Sequence, residues 1–310
     1  MRFNWMGPTG QKTGYGTVAD EMSKALEELG HVRDEKGVKI YHGIPYPSIG
    51  GAKYVYTMFE MMPALKEWGP VLNHAKTIFT GSTYSAACLR PVTKRPVVPI
   101  AHGVRQDLYV DRLPSDVFKF GCFAEHVPRK FLRETITAFT EEFGPDEKVK
   151  LYVKTWSANK NVTDLFVGKK NVVMVTGNVA DMKNLYAAMD GYVLPSVEGW
   201  GLTQMEAIAS GLKPIVLDFG GVKDFCNKDN SVLVAPGPEE RCPIDPRFEF
   251  MKPYMKWRRP DRGALMAAMR RVVKNGGEWL DEKQAKDFAS SWTWRRCAEE
   301  MLKHVDVQEL

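Results

Sequence analysis

The sequence predicts an α/β protein with two parallel-sheet domains, and three observations support this prediction. The chain has 310 residues, which is enough for two domains of ordinary size. Short apolar runs alternate with segments of helical periodicity, as is typical of parallel sheets with right-handed crossovers. The alternation is interrupted by proline and polar residues at 111–115 and then restarts. The first domain is therefore predicted to cover residues 1–112.

The first domain begins with a strand at residues 2–6, a glycine-rich turn and a helix at residues 17–29. Apolar residues in this helix recur on one face, and Gly30 is a natural stop after it. Three further runs have the length and composition of strands, at residues 38–42, 53–58 and 76–79, and the pattern restarts after residues 97–101. These elements predict a small open α/β sheet.

The second domain is predicted to cover residues 113–288 and shows the alternation more regularly. Its predicted strands are residues 117–123, 149–154, 171–175, 191–194 and 213–217. Its predicted helices are residues 129–143, 182–189 and 202–210. The proline-rich residues 236–260 are predicted to form a long irregular loop. Residues 289–310 are predicted to form a last helix that crosses back to the first domain.

Composition excludes several classes of protein. The net charge of +5 suits an anionic substrate and does not by itself indicate nucleic acid. The five cysteines are scattered without a C-x-x-C pair, which indicates reduced thiols and no zinc framework. No apolar run approaches the roughly 20 residues of a membrane span, and the start of the chain lacks the pattern of a signal peptide. A cytoplasmic location is expected.

The most informative segment is residues 194–214, where a strand, a glycine-containing loop and a helix follow one another. Gly199 and Gly201 in the loop allow a ligand to approach the backbone closely. The first N–H groups of a helix are unpaired and suit sugar oxygens or phosphate. Glu198 lies in the loop, and Glu206 lies within the first two turns of the helix. A carboxylate there can accept hydrogen bonds from both hydroxyls of a ribose.

Glu198 and Glu206, eight positions apart around Gly-Trp-Gly-Leu, resemble the E-x7-E motif of retaining glycosyltransferases of the GT-B fold. The resemblance is to the family 4-like enzymes, the glycosyl transferases group 1. It implies two Rossmann-like domains that face a cleft, and transfer of a hexose from a UDP- or GDP-sugar to an acceptor hydroxyl. It also implies that Glu198 lies near the transferred sugar, whereas Glu206 holds the nucleotide ribose.

The resemblance further implies cations for the diphosphate. Lys130 matches the family's lysine, but this chain has Glu125 about where the family's arginine is expected. Arg129 or Lys154 could supply the second positive charge. Lys130 and Lys154 would stabilise the negative charge that grows on the leaving group. Together with Glu198 they form the predicted catalytic set.

The remaining donor residues are predicted from loops at strand ends. Asn178 and Val179 resemble the loop that presents backbone groups to the base, and Gly10 and Gly14 resemble a glycine-rich loop that approaches the phosphates. The loop that opens the 202–210 helix adds Gly199, Trp200, Gly201 and Leu202. The nucleotide-sugar is expected as a co-substrate, with no metal and no other cofactor.

The acceptor is the least defined partner. His42, Glu60 and His102 in the first domain are candidates for orienting its hydroxyl. The basic and aromatic residues 247–274 raise the alternative of a phage-type DNA-base glycosyltransferase acting on hydroxylated bases. A loop followed by an ordinary amphipathic helix is the favoured interpretation of that segment. Because of Glu125, a non-catalytic nucleotide-sugar-binding protein is a third possibility.

Overall fold

The chain forms two compact units in the computed structural model, which describes residues 1–112, 115–155, 160–177, 179, 181–243 and 251–309. Unit 1 comprises Met1–Val104, Glu240–Trp257 and Ser291–Leu310. Unit 2 comprises Arg105–Glu239 and Arg258–Ser290. The first change of unit therefore precedes the boundary predicted at 112/113. The chain also returns to unit 1 once before its C-terminal segment does so.

Unit 1 contains a six-stranded parallel sheet with the strand order β2-β1-β3-β4-β5-β6. Its strands are β1 (Arg2–Met6), β2 (Val32–Arg33), β3 (Val38–His42), β4 (Tyr54–Tyr56), β5 (Thr77–Thr80) and β6 (Val97–Pro99). Its first helices are α1 (Gly14–Glu28), α2 (Trp68–Leu72) and α3 (Thr83–Leu89). The strands predicted at residues 2–6 and 38–42 are confirmed with the same bounds.

Unit 2 contains a parallel sheet with the order β10-β7-β8-β9, and a bridge from Val193 to Ile215 extends it to the pair β11-β12. Its strands are β7 (Phe118–Phe123), β8 (Val149–Lys154), β9 (Val172–Val175), β10 (Gly191–Tyr192), β11 (Ile215–Leu217) and β12 (Val232–Val234). Its helices are α4 (Leu132–Glu142), α5 (Lys160–Thr163), α6 (Met182–Ala187), α7 (Leu202–Ala209), α8 (Arg262–Lys274) and α9 (Glu282–Ser291). The carboxyl ends of β7, β8 and β10 meet at one edge, where ligands bind in open parallel sheets.

The predicted helix at residues 129–143 is wrong in its first turn. A single 3-10 turn, Pro128–Lys130, follows β7, and α4 begins only at Leu132. Phe131 lies between them with a left-handed φ of 48° and its side chain buried, which ends the turn and redirects the chain. Arg129 and Lys130 are consequently on a tight turn ahead of the helix instead of on its face.

The predicted irregular loop at residues 236–260 is also wrong at both ends. Strands β13 (Pro236–Arg241) and β14 (Lys256–Pro260) form a two-stranded sheet. Each is an edge strand, where proline is tolerated because no N–H is required on the open side. Trp257 donates from Nε1 to Oε1 of Glu240 over 2.8 Å. After α9 the chain returns to unit 1 with α10 (Trp294–Leu302), which packs against α1. No helix among the described residues is long and apolar enough to cross a membrane.

The carboxyl edge of the unit 1 sheet carries a buried cluster of aromatic rings and two histidines. His42 ends β3 and is 2% exposed, and His102 follows β6 and is fully buried. The Tyr56 ring lies 5.3 Å from the His42 ring and 5.8 Å from the His102 ring. Burial lowers the pKa of each histidine to about 3, and the proximity of His42 contributes further at His102. Both imidazoles are therefore neutral at pH 7.

We expect this pair to make the protein less stable as the pH falls below 6.5. Each histidine binds a proton at its ordinary pKa when unfolded, but not when folded until about pH 3, so unfolding takes up protons between these values. The free energy of unfolding should fall by up to roughly 1.4 kcal/mol per pH unit for each histidine. Urea unfolding between pH 7.5 and 5.0 measures this slope. His42→Gln should flatten it, whereas the same change at exposed His74 should not.

Candidate active site

The loop between β10 and α7 is buried along its length. Ser196 is fully buried, and Glu198 and Trp200 are 4% and 2% exposed. Gly201 ends the loop at the N-cap of α7 with φ 112°. The neighbouring Gly220, with φ +89°, lets its backbone lie against Glu198, where an added Cβ would come within 3.3 Å of the Glu198 backbone N and O. Gly221 N–H donates to the Glu198 carbonyl over 2.8 Å, so two glycine-containing loops hold Glu198 in place.

Gly201→Ala should destabilise the protein, because this backbone conformation is strained for any L side chain. The new Cβ would lie 2.8 Å from Cγ1 of Val222. We expect a loss of about 1–3 kcal/mol in the free energy of unfolding, measured with urea. Gly263→Ala in α8 is the matched control. Its Cβ would meet only ordinary contacts, and alanine favours a helix by up to about 1 kcal/mol. Equal effects of the two substitutions would contradict this explanation.

The Glu198 carboxylate forms ion pairs with two cationic side chains from the turn after β7. Arg129 Nη1 lies 2.9 Å from Oε2, and Lys130 Nζ lies 2.5 Å from Oε1. Ser196 Oγ also donates to Oε1 over 2.5 Å, and Gln204 Nε2 of α7 lies 3.5 Å from the same oxygen. These five side chains, Arg129, Lys130, Ser196, Glu198 and Gln204, are called the Glu198 cluster below. With one carboxylate and two cations, the cluster carries a net charge of +1.

Electrostatics make Glu198 a permanent anion. Burial by itself would raise its pKa, but the charges of Lys130 and Arg129, together with the hydrogen bonds from Lys130 and Ser196, lower the pKa to about 2. Glu198 is therefore ionised throughout the neutral range and cannot act as a general acid there. Its carboxylate instead fixes the two cations in position.

The carboxylate of Glu206 has a different environment from that of Glu198, although the two residues are only eight positions apart in the sequence. Tyr186 in α6 donates from its hydroxyl to Oε2 over 2.8 Å. Oε1 has no hydrogen-bond partner among the residues that the structure describes. Burial raises the pKa of Glu206, although the Tyr186 hydrogen bond and the charge of Arg105 act in the opposite direction. The second carboxylate thus presents one open acceptor oxygen.

Apart from Gly10 and Gly14, the other predicted donor residues that the structure describes lie in the same unit. Lys154 ends β8 and is 7% exposed, and burial lowers its pKa. Arg129 is in the Glu198 cluster, whereas Glu125 is exposed. Gly199 and Trp200 are buried within the loop, Leu202 is the first residue of α7, and Val179 is half-buried. Asn178 lies outside the described residues.

The structure gives less support to the site residues that were predicted in unit 1. Gly10 has φ 73°, and its N–H donates to the Asp20 carboxylate of α1, at 2.9 Å from Oδ1. Gly14 is the first residue of α1. His42 and His102 are inside the aromatic cluster, so their burial gives no support to an acceptor role. The roles of the two glycines and of half-buried Glu60 stay predictions.

Four of the five arginines that the structure describes between residues 251 and 274 form ion pairs. Arg259, Arg262 and Arg270 pair with three glutamates of α4, which are Glu134, Glu141 and Glu142. Arg271 pairs with Glu278 at 3.1 Å. A nucleic-acid surface requires cations that are available to phosphates. The pairing instead favours the simpler interpretation, in which α8 packs on α4 as an amphipathic helix.

Sequence reasoning missed four side chains and one loop of this site. Ser196 and Gln204 are in the motif segment but bear common polar groups, so nothing marks them as partners of Glu198. Tyr186 and Arg105 are distant in sequence from Glu206 and become recognisable only in three dimensions. The Gly220-Gly221 pair could have been found, because adjacent glycines after a strand indicate a close backbone approach. No group of three or more metal-ligating side chains is found within the described ranges.

Comparisons with known proteins match the segment of the chain that carries these residues. The family described as Glycosyl transferases group 1 matches residues 118–242, which include the Glu198 cluster and Glu206. A search of curated protein sequences finds no significant match.

Solved structures give a likeness in fold. The lipopolysaccharide outer core galactosyltransferase WaaB aligns over 98% of this chain and 99% of its own, at a TM-score of 0.66 and 10% identity. WaaG, a glycosyltransferase involved in lipopolysaccharide biosynthesis, aligns over 97% and 98%, at 0.65 and 12% identity. The GtfA/B complex aligns over 90% of this chain, which spans only 58% of that chain, at 0.57 and 13% identity.

These identities are low, so the structural likeness concerns the fold, while the family match concerns the segment that carries both glutamates. The predicted α/β fold class is confirmed, and family and fold together support glycosyl transfer. Over residues 118–242 the chain resembles the glycosyl transferases group 1, and its fold is that of the GT-B glycosyltransferases.

Proposed function

We propose that this protein is a retaining glycosyltransferase that moves a hexose from a UDP- or GDP-sugar to an acceptor hydroxyl. One observation carries the proposal: a buried carboxylate holds two cations beside a helix whose own carboxylate keeps an acceptor oxygen open. Cations suit a diphosphate, and an open carboxylate oxygen suits a ribose hydroxyl. The group 1 family match and the GT-B fold support the same reaction class.

Arg129 is our candidate for the second diphosphate cation. It lies four residues after Glu125, which is exposed. Arg129 and Lys130 both pair with the carboxylate of Glu198, so their two positive charges lie side by side. Lys154 is the third candidate cation, at the end of the neighbouring strand β8. Its lowered pKa reflects the cost of burying a charge, and a bound phosphate would offset this cost.

The proposed reaction breaks the bond between the anomeric carbon and the diphosphate oxygen, and that oxygen keeps the electron pair. The acceptor oxygen forms the new bond on the same face of the sugar, which retains the anomeric configuration. The acceptor's proton passes to the departing phosphate. Lys130 and Arg129 act most strongly on the charge that develops on the leaving group, and such preorganised charges lower the barrier.

Ligand binding tests the proposal directly. A native-state ligand at 100 times its dissociation constant stabilises a protein by about 2.7 kcal/mol, so a thermal-shift panel of UDP- and GDP-sugars should raise Tm for at least one member. The sugar released by slow hydrolysis of that donor should show the anomeric configuration of the donor when NMR spectra are recorded before mutarotation. If no nucleotide-sugar binds, the proposal fails. If the released sugar is inverted, the retaining mechanism fails.

The two alternatives would give other results. A non-catalytic binder would show the thermal shift without hydrolysis or transfer. A DNA-base glycosyltransferase would bind duplex DNA with an affinity that falls steeply with salt concentration. The ion pairs of Arg259 in β14 and of Arg262, Arg270 and Arg271 in α8 argue against strong phosphate binding by this segment, and therefore against the DNA alternative.

A further inference from the structure

The hydroxyl of Tyr186 is placed where it controls the proposed ribose carboxylate. Tyr186 is fully buried in α6, and its ring packs against the rings of Phe123 and Tyr192. Its oxygen lies 2.8 Å from Oε2 of Glu206 and 3.0 Å from the carbonyl oxygen of Thr203. Burial raises the pKa of Tyr186 well above its ordinary value, so the phenol keeps its proton and acts as a donor.

The two carboxylate oxygens of Glu206 differ in their hydrogen bonding. Oε2 accepts from Tyr186, whereas Oε1 has no partner within the described parts of the chain. Arg105 is the nearby cation whose charge favours the ionised carboxylate, and it is itself paired with Asp181 at 2.7 Å and with Asp107 at 3.0 Å. A carboxylate held on one side by a rigid donor loses little rotational freedom when a ligand binds on the other side.

We infer that Tyr186 is a positioning residue for nucleotide recognition, because it occupies Oε2 of Glu206 and leaves Oε1 as the acceptor for a ribose hydroxyl. This inference rests on the proposed function. It names the ligand class as ribonucleoside diphosphates. It also implies that the two ribose hydroxyls are recognised unequally, since a hydroxyl that donates to Oε1 has this oxygen to itself, whereas a hydroxyl that donates to Oε2 shares that oxygen with Tyr186.

Tyr186→Phe tests the inference, because it removes the hydroxyl and keeps the ring packing. Dissociation constants of UDP, 2′-deoxy-UDP and 3′-deoxy-UDP, with GDP in parallel, are measured by calorimetry between pH 5.0 and 8.5. In the wild type, loss of one hydroxyl should weaken binding roughly 10- to 100-fold, and loss of the other far less. In Tyr186→Phe this inequality should shrink, because Oε2 becomes open to the ligand.

The pH profile separates positioning from mere packing. Ribose hydroxyls donate to the ionised carboxylate, so affinity should fall as the pH drops through the pKa of Glu206. The Tyr186 hydrogen bond lowers that pKa, and therefore the fall should begin at a higher pH in Tyr186→Phe. Tyr192→Phe is the matched control, since its ring is equally buried and packs against Tyr186, and it should leave the profile unchanged.

The outcomes distinguish the inference from the function on which it rests. If neither UDP nor GDP binds the wild type, the proposed function fails. If the wild type binds and Glu206→Gln weakens binding, but Tyr186→Phe changes neither the hydroxyl preference nor the pH profile, the positioning role alone is refuted. Equal shifts in Tyr186→Phe and Tyr192→Phe would also refute it, because they would indicate a packing effect.

Discussion

Replacing Lys130 by alanine is expected to lower kcat for glycosyl transfer by about 10²- to 10³-fold. The ammonium is 2.5 Å from Oε1 of Glu198 and is 16% exposed, so its charge acts in a poorly solvated site. Removal of one preorganised group that faces developing negative charge has an effect of this size in other enzymes. The effect should be larger on kcat than on KM, because the charge on the leaving oxygen is greatest in the transition state.

The same substitution should destabilise the protein, since it leaves the buried Glu198 with one cation fewer. Loss of one partner of a buried pair costs roughly 3–5 kcal/mol. The double variant Lys130→Ala with Glu198→Gln should regain part of this stability, but not the activity. Lys228→Ala, at an exposed position of the same unit, serves as the control and should change neither quantity. Normal kcat in a folded Lys130→Ala enzyme would exclude Lys130 from leaving-group stabilisation.

Glu206→Gln is expected to weaken donor binding and, at the same time, to make the free protein more stable. The substitution removes the charge that accepts the ribose hydroxyl, and a hydrogen bond to a charged group contributes about 1.5–3 kcal/mol, or roughly 10- to 100-fold in Kd. Burial raises the pKa of Glu206, so ionisation opposes folding as the pH rises above 4.5. At pH 7.5 a neutral side chain avoids this cost.

Paired measurements of Tm and donor affinity check this expectation. Glu198→Gln is the informative comparison, because the pKa of Glu198 is lowered to about 2 and its charge therefore favours folding at any pH above 4.5. Neutralising the two glutamates should shift Tm in opposite directions. If both substitutions lower Tm and only Glu198→Gln affects donor affinity, the proposed assignment of the ribose to Glu206 is incorrect.

Local patterns in the sequence predicted much of the architecture. The strands at residues 2–6, 38–42 and 149–154 have the predicted bounds, because apolar runs between turn residues define buried parallel strands locally. The prediction that a helix begins at residue 129 was wrong, because Phe131 adopts a left-handed conformation that its residue type disfavours. The two-stranded sheet of β13 and β14 was not predicted, because its pairing depends on residues that are distant along the chain.

The local order of residues is enough to place both glutamates at a glycine-containing helix entrance and basic residues after an earlier strand. How these groups act on one another depends on contacts that form only in the folded chain. Arg129 and Lys130 reach Glu198 across 69 and 68 positions of the chain, and Tyr186 reaches Glu206 across 20. These contacts matter because the ionisation state of a side chain depends on its burial and on the charges near it in space. The pKa values of two glutamates in one loop-and-helix segment are therefore shifted in opposite directions: that of Glu198 is lowered and that of Glu206 is raised.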